Sequence, residues 1–191
     1  GFDQRNRHHC YDVWEHTIHA LAAVPPETEL RCAMLLHDIG KPRVFVLGTD
    51  GCGHFRGHQA AGREMADQML RRLKCSGRLR ETVVQLVEWH DRGIPPEERA
   101  VCRVLRQLGE EQLRRLLAVK RADNLAQAPA FRGRQEELRR VEAVLERVLA
   151  ARACVSLRDL AVKGNDITEL GLEGPAVGHC LEMLLDGVVE Q

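Results

Sequence analysis

Leu35-Leu36-His37-Asp38-Ile39-Gly40-Lys41-Pro42 decides how the rest of the chain is read, because it has the form of a helix that stops at a cation. Pro25-Pro26 followed by Glu27 and Thr28 suits a helix start, and Gly40 past the end with Pro42 just beyond suits a stop. Between them Leu30, Ala33, Met34 and His37 keep the i, i+3, i+4, i+7 spacing of one buried face, which points the His37 imidazole inward. Asp38 follows about 100° round the helix axis. A carboxylate beside an inward histidine is costly to bury unless a cation or hydrogen bonds satisfy it. The last carbonyls of the helix carry partial negative charge and also favour a cation.

Upstream, over residues 11–23, Val13, Trp14, Thr17, Ala20 and Leu21 form an apolar stripe. Asp12, His16 and His19 run along its polar border, with His16 closest to the apolar side. Downstream, residues 43–47 read as a β-run, Asp50-Gly51 as a turn and residues 53–55 as a second short run, a small hairpin placed to cover a cleft. His58 then opens a helical pattern with Ala61, Met65 and Met69. Leu79, Val83, Leu86, Val87 and His90 line one face of the next helix, Asp91 follows, and Gly93 with Pro95-Pro96 ends it.

Residues 97–108 and 110–127 form two amphipathic segments broken by Gly109. In the second, Leu113, Leu116, Leu117 and Lys120 make a stripe bordered by Asp123 and containing Asn124. A long helix is expected over 131–151, with Leu138, Val141, Leu145, Val148 and Leu149 inward. Ser156 to Asp159 opens a short helix, Asn165 or Asp166 another that Gly171 ends, and Gly174-Pro175 starts a last one through Leu184-Leu185. The expected architecture is all-α: a helical domain over 1–152 carrying the small hairpin, and a small C-terminal helical module over 153–191.

Composition agrees with that class. The chain of 191 residues is 44% hydrophobic, poor in aromatics and rich in helix formers, enough for one substantial core. Lys plus Arg and Asp plus Glu are equal at 28 each, so bulk charge draws the chain to neither nucleic acid nor membrane, and any basic surface is local. Local clusters exist at Arg71-Arg72 with Lys74, Arg78 and Arg80, at Arg114-Arg115 with Lys120-Arg121, at Arg132 and Arg134, and at Arg139-Arg140. Seven scattered cysteines without a C-x-x-C pair fit free thiols in a reducing compartment. With no apolar run near the ~20 residues of a membrane span, the expectation is a cytoplasmic protein with no membrane partner. Its first residue is Gly1 rather than Met, which leaves room for a domain ahead of it.

The chemistry lies in a set. His16, His37, Asp38, His58, His90 and Asp123 fall at or beside the inward stripes of separate expected helices. Each histidine alone would read as a hydrogen-bonded core residue; core decoration seldom repeats so often. Imidazole and carboxylate together suit Fe, Mn, Ni, Co or Mg more than a thiolate zinc site. Ligands tens of residues apart imply a centre assembled by the fold. His16, His37, Asp38 and Asp123 would leave positions open on a six-coordinate ion, and His58 with His90 could hold a second ion, with Asp38 bridging. His54 is a lower-ranked alternative to His58, and Lys41 could pair with a substrate phosphate or simply sit as a cation near a helix end.

The word HDIGK, an upstream histidine and the aspartate of KRADNLAQ together resemble the HD superfamily of metal-dependent phosphohydrolases. In order, HHCYDVWEHTIHAL, AMLLHDIGKP, GHFRGHQAAG, LVEWHDRGI, KRADNLAQ and SLRDLAVKGNDITELGL resemble the HD-containing C-terminal portion of bacterial CCA-adding enzymes and related poly(A) polymerases. The resemblance implies metal ligation by His16, His37, Asp38 and Asp123, with His58 and His90 in the places of a second site and catalytic roles for Asp38, His58, His90 and Lys41. It implies a hydrolase acting on phosphorylated nucleotides, 2′,3′-cyclic phosphates or RNA ends with one or two divalent ions. The alternative it implies is a non-catalytic RNA-binding part of a tRNA-maturing enzyme, in contact with tRNA. The Gly-Ser turn and paired aspartates of a nucleotidyltransferase head have no counterpart here, so nucleotide addition by this segment is not expected.

Overall fold

The structure, a computed structural model, describes residues 1–5, 11–151, 157 and 159–189. His8, His9, Cys10, residues 152–155 of the expected boundary, Cys154 and the Ser156 helix start lie outside the described residues. Among the described residues the protein is helical apart from one two-stranded hairpin. It divides into two compact units, residues 1–93 with 111–139, and residues 94–110 with 140–191.

The first unit holds α1 (Val13–Ala23), α2 (Thr28–Leu36), α3 (Lys41–Val44), α4 (His58–Arg72), α5 (Gly77–Trp89) and nearly all of α7 (Glu110–Leu125). Local chemistry sets several of the ends. The Asp12 carboxylate accepts from Glu15 N at 2.9 Å to cap α1, and Ser76 Oγ accepts from Leu79 N at 3.2 Å to cap α5, each worth about 1 kcal/mol. Leu30, Ala33 and Met34 of α2, Ala66 and Leu70 of α4, Val83, Leu86 and Val87 of α5 and Leu113, Leu116 and Leu117 of α7 are buried. α5 packs on both α4 and α2, which brings the C-terminal ends of α2 and α5 near the N-terminal end of α4.

Four local expectations change. Gly40 is right-handed (φ −76°, ψ −18°), not a left-handed helix stop. Its need for glycine is spatial, because a Cβ would lie 2.2 Å from His58 O and 2.6 Å from Gly62 N. The chain then re-enters a short helix, so Arg43 and Val44 are helical and the strands are only β1 (Val46–Leu47) and β2 (Gly53–His54), paired antiparallel. Trp14 is 58% exposed, because α1 buries His16, Thr17 and Ala20 instead. The buried row of α4 is His58, Gly62, Ala66 and Leu70, one position on from the Ala61, Met65, Met69 stripe.

In the second unit α6 (Glu98–Leu108), the residues of α8 (Arg134–Ala150) from 140 on, α9 (Gly164–Glu169) and α10 (Pro175–Val189) bury Val101, Leu105, Val141, Val144, Leu145, Val148, Ile167 and Leu185. α9 and α10 pack together, and Arg106 is ion-paired with Asp186. Asp166 Oδ2 accepts from Lys163 N at 2.6 Å, fixing the start of α9. The described cysteines, Cys32, Cys52, Cys75, Cys102 and Cys180, are free.

Candidate metal centre

Helix ends account for much of the site. The last carbonyls of a helix have no partner within it. His37 and His90 are the C-cap residues of α2 and α5, and each turns its Nδ1 back on the carbonyl three residues earlier: Met34 O at 2.6 Å and Val87 O at 2.7 Å. His58, first residue of α4, does the same to Phe55 O at 2.9 Å. His16 faces Ala126 O at 3.3 Å, across from the end of α7. A carbonyl can only accept, so each Nδ1 carries a proton, and in the neutral ring the Nε2 keeps its lone pair.

All these Nε2 atoms turn toward Asp38. His16 and His37 Nε2 lie 3.7 and 3.2 Å from Asp38 Oδ2, and His58 and His90 Nε2 each lie 3.7 Å from Oδ1. The pairs themselves are close, His16 to His37 at 3.3 Å and His58 to His90 at 3.2 Å. Lone pairs at that separation repel unless a proton or a cation lies between them. Asp123, on the last turn of α7, adds Oδ1 at 2.9 Å from His16 Nε2 and 3.7 Å from His37 Nε2. The donors fall into two groups sharing one carboxylate, His16 with His37 and Asp38, and His58 with His90 and Asp38, all of them buried.

Lys41, 5% exposed, brings Nζ to 2.7 Å from Asp38 Oδ2, although Oδ2 has no well-formed hydrogen bond. The contact is a charge pair, which needs no hydrogen-bond alignment. A buried carboxylate oxygen short of hydrogen bonds, amid inward imidazole lone pairs, fits a divalent cation with mixed N and O preference. The second sphere fits too, since each ligand-type histidine is held through its far nitrogen.

The electrostatics follow from the same packing. Burial disfavours charge on Asp38, but His37, Lys41 and His90 outweigh it and hold the carboxyl well below its usual range. Burial likewise opposes ionisation of Asp123, and the close rings of His16 and His37 hold its carboxyl well below the usual range. Burial lowers the pKa of His37, yet the carboxylates of Asp38 and Asp123 leave it raised. His90 is pushed down to about 4 by burial and by its neighbour His37. It is therefore neutral and ready to donate its lone pair at ordinary pH.

A cleft of about 450 Å³ opens onto the centre, lined among others by Asp38, Lys41, His58, His90 and Asp123. His54 is in β2, exposed and 3.9 Å from Asp50, and does not line the cleft. Other lining residues carried no periodic signal in the sequence: Arg56, Gln59, Asp91 and Gln127. The doublet at 90 and 91 repeats the one at 37 and 38, which is the one sequence hint of Asp91. Its carboxylate turns to the rim, where it accepts from Gln59 Nε2 at 3.1 Å. Lys120 donates to His90 O at 2.7 Å and Arg92 O at 2.6 Å, and so holds the exit of α5. Much of the basic sequence is answered by acid: Arg71 and Arg80 by Asp67, Arg78 and Arg115 by Glu111. Trp89 is buried, with Arg92 stacked 3.9 Å from the ring centroid.

A helical bundle carrying histidines and aspartates from separate helices has the donor set of a bundle-core metal site. The chain belongs to the HD domain family, which it matches over residues 7–128. It is 35% identical over 198 residues to the A-adding tRNA nucleotidyltransferase of Deinococcus radiodurans, a match covering 97% of this chain and 44% of that protein. It is 34% identical over 198 residues to the CC-adding tRNA nucleotidyltransferase of Thermus thermophilus, covering 100% of this chain and 44% of the relative. A multifunctional CCA protein of Halorhodospira halophila is 35% identical over 94 residues, 47% of this chain and 22% of that protein. The chain thus spans under half the length of these curated relatives. No solved structure matches significantly. No helix among the described residues is long and apolar enough to cross a membrane.

Proposed function

We propose that the chain is a metal-dependent phosphohydrolase of nucleotides, 2′,3′-cyclic phosphates or RNA ends. The observation that carries this reading is the turning of His16, His37, His58 and His90 Nε2 onto the two oxygens of Asp38. In it His16, His37, Asp38 and Asp123 hold one divalent ion, from among Fe, Mn, Ni, Co and Mg, and His58 and His90 hold a second with Asp38 shared. Such an ion would polarise a phosphate oxygen and lower the pKa of water.

The protein's own groups do the rest. The backbone carbonyls of Met34, Phe55, Val87 and Ala126 fix the imidazoles, so little reorganisation is needed when a substrate arrives. Lys41 places a positive charge where a phosphate would enter, and His58 and His90, when not ligating, can accept a proton on the free Nε2 and relay it. The cleft falls within the range of about 300–1,000 Å³ common to small-molecule sites. Residues 1–152 would form the metal-binding domain, 153–191 the C-terminal module, and the setting would be the cytoplasm. The test is turnover of 2′,3′-cyclic nucleotides with each divalent ion. Activity that disappears in a folded Asp38→Ala variant supports the reading, and unchanged activity ends it.

A second reading is favoured by the relatives that align with nearly the whole chain and are tRNA nucleotidyltransferases. In it the segment is a non-catalytic RNA-binding part of such an enzyme. Steep salt dependence of tRNA affinity, with no hydrolysis under any divalent ion, would select it.

A further inference from the structure

Among the described residues, Gln4 lies outside the stretch matched to the family, residues 7–128, yet bonds Lys41 beside the centre. Gln4 is only 1% exposed, and a buried carboxamide is costly unless both ends are satisfied. Here they are. Its Nε2 donates to Tyr11 O at 3.1 Å, and its Oε1 accepts from Lys41 Nζ at 2.8 Å. The backbone around it is fastened on both sides: Val13 N donates to Phe2 O at 2.9 Å and Gly53 N to Arg5 O at 2.8 Å. Gly53 is needed for this seat, because a Cβ there would lie 2.2 Å from Gln4 O. The Phe2 ring meets Phe45 edge-on, centroids 5.3 Å apart. The segment 1–5 is therefore built into the first unit between the start of α1 and the hairpin.

Filling space would call for an apolar side chain. An ammonium has several donors and, with a carboxylate on one side alone, would be drawn onto it. Here the ammonium is shared, with Nζ 2.7 Å from Asp38 Oδ2 and 2.8 Å from Gln4 Oε1, so the second acceptor fixes where it sits. Glutamine supplies that second acceptor without charge, whereas a second carboxylate beside Asp38 would leave the group net negative and repel an anion. We propose that Gln4 is a positioning residue: it holds the Lys41 ammonium at the cleft floor, shared with Asp38, in place for the anionic group of a phosphate ester. This rests on the hydrolase reading above.

The experiment is a double-mutant cycle on the full chain loaded with Mn²⁺, with inorganic phosphate as the probe and binding read by calorimetry. Gln4→Met, which keeps volume and loses both the acceptor for Lys41 and the donor to Tyr11 O, is expected to weaken phosphate about tenfold, the worth of one hydrogen bond to a charged group. Lys41→Met weakens it at least as much, and adding Gln4→Met to Lys41→Met costs nothing further, because Gln4 acts only through Lys41. Gln4→Glu, which keeps the acceptor and adds a charge, also weakens phosphate. Unchanged affinity in Gln4→Met, or a loss that adds in full to that of Lys41→Met, overturns the proposal. Should Gln4→Met fail to fold, Gln4→Asn, whose amide stops about one methylene short of Lys41, goes through the same cycle. Wild-type protein that binds Mn²⁺ but shows no Mn²⁺-dependent turnover removes the hydrolase reading and this role with it. Active wild type with an unaffected Gln4→Met removes this role alone.

Discussion

Asp38→Asn keeps the shape of the shared ligand and removes its charge. Without metal, the substitution takes the carboxylate from Lys41 at 2.7 Å and from His37 at 3.2 Å. Removing one partner of a buried pair costs about 3–5 kcal/mol. Gln4 still accepts from Lys41, and His37 can shed its proton, so the lower end, about 3 kcal/mol, is expected here. For a chain of 191 residues at about 2–4 °C per kcal/mol, the midpoint of thermal unfolding drops by about 6–12 °C. With Mn²⁺ at a hundred times its dissociation constant, the wild type gains about 2.7 kcal/mol, or about 5–10 °C. Altering a partner behind a ligand costs about 10–100-fold in affinity, and losing a carboxylate that both donor groups share should cost at least the upper figure. At the same Mn²⁺ concentration the variant then gains no more than about 0.4 kcal/mol, a shift near 1 °C. Thermal unfolding after chelation, with and without Mn²⁺, gives all these values. A full metal-induced rise in Asp38→Asn would refute the account of Asp38 as the shared ligand.

Metal affinity should depend on pH through His37. Burial lowers its pKa, but Asp38 and Asp123 leave it above the ordinary 6.5, so at and below that pH the ring holds a proton that a cation must displace. Mn²⁺ affinity therefore falls as pH falls to and below the ordinary imidazole value, with proton uptake by the buffer, whereas His90, at about 4, contributes no proton near neutral pH. Calorimetry in buffers of different ionisation enthalpy reads this, and a flat profile contradicts it. Gly40→Ala drives a Cβ to 2.2 Å from His58 O, backbone against backbone, and should cost about 3 kcal/mol in chemical denaturation. Gly62→Ala, whose nearest neighbour is Val87 Cγ1 at 3.3 Å, should cost far less, and equal losses would refute the close-approach explanation. Lys120→Met leaves the His90 and Arg92 carbonyls without their donor and should lose about 2 kcal/mol, measured the same way; no loss would show those bonds to be idle.

The gathering of His16, His37, Asp38, His58 and His90 was legible because helical spacing says which side chains face inward, and several elements each placed an imidazole there. Spacing also indicated the helices themselves and the hairpin turn at Asp50-Gly51. It failed where a tertiary neighbour outranks periodicity. Trp14 belongs to the apolar stripe by counting, yet α1 turns to bury His16, whose contacts with Asp123 and Ala126 exist only inside. Gly40 read as a helix stop because a close approach by α4 leaves the same glycine signature as a left-handed turn. Gln4 had no signal at all, since it precedes the first periodic segment and its partner is 37 positions away. The paired helix-end carbonyls that fix His37 and His90 are backbone groups, invisible to any reading of side chains.

Anomalous diffraction from crystals soaked in Mn²⁺ tests most directly whether these side chains grip a cation. The account predicts a peak within bonding distance of His16 and His37 Nε2 and Asp38, with a second allowed at His58 and His90. Soaked crystals in which the four rings keep their places and no peak lies beside Asp38 would contradict it.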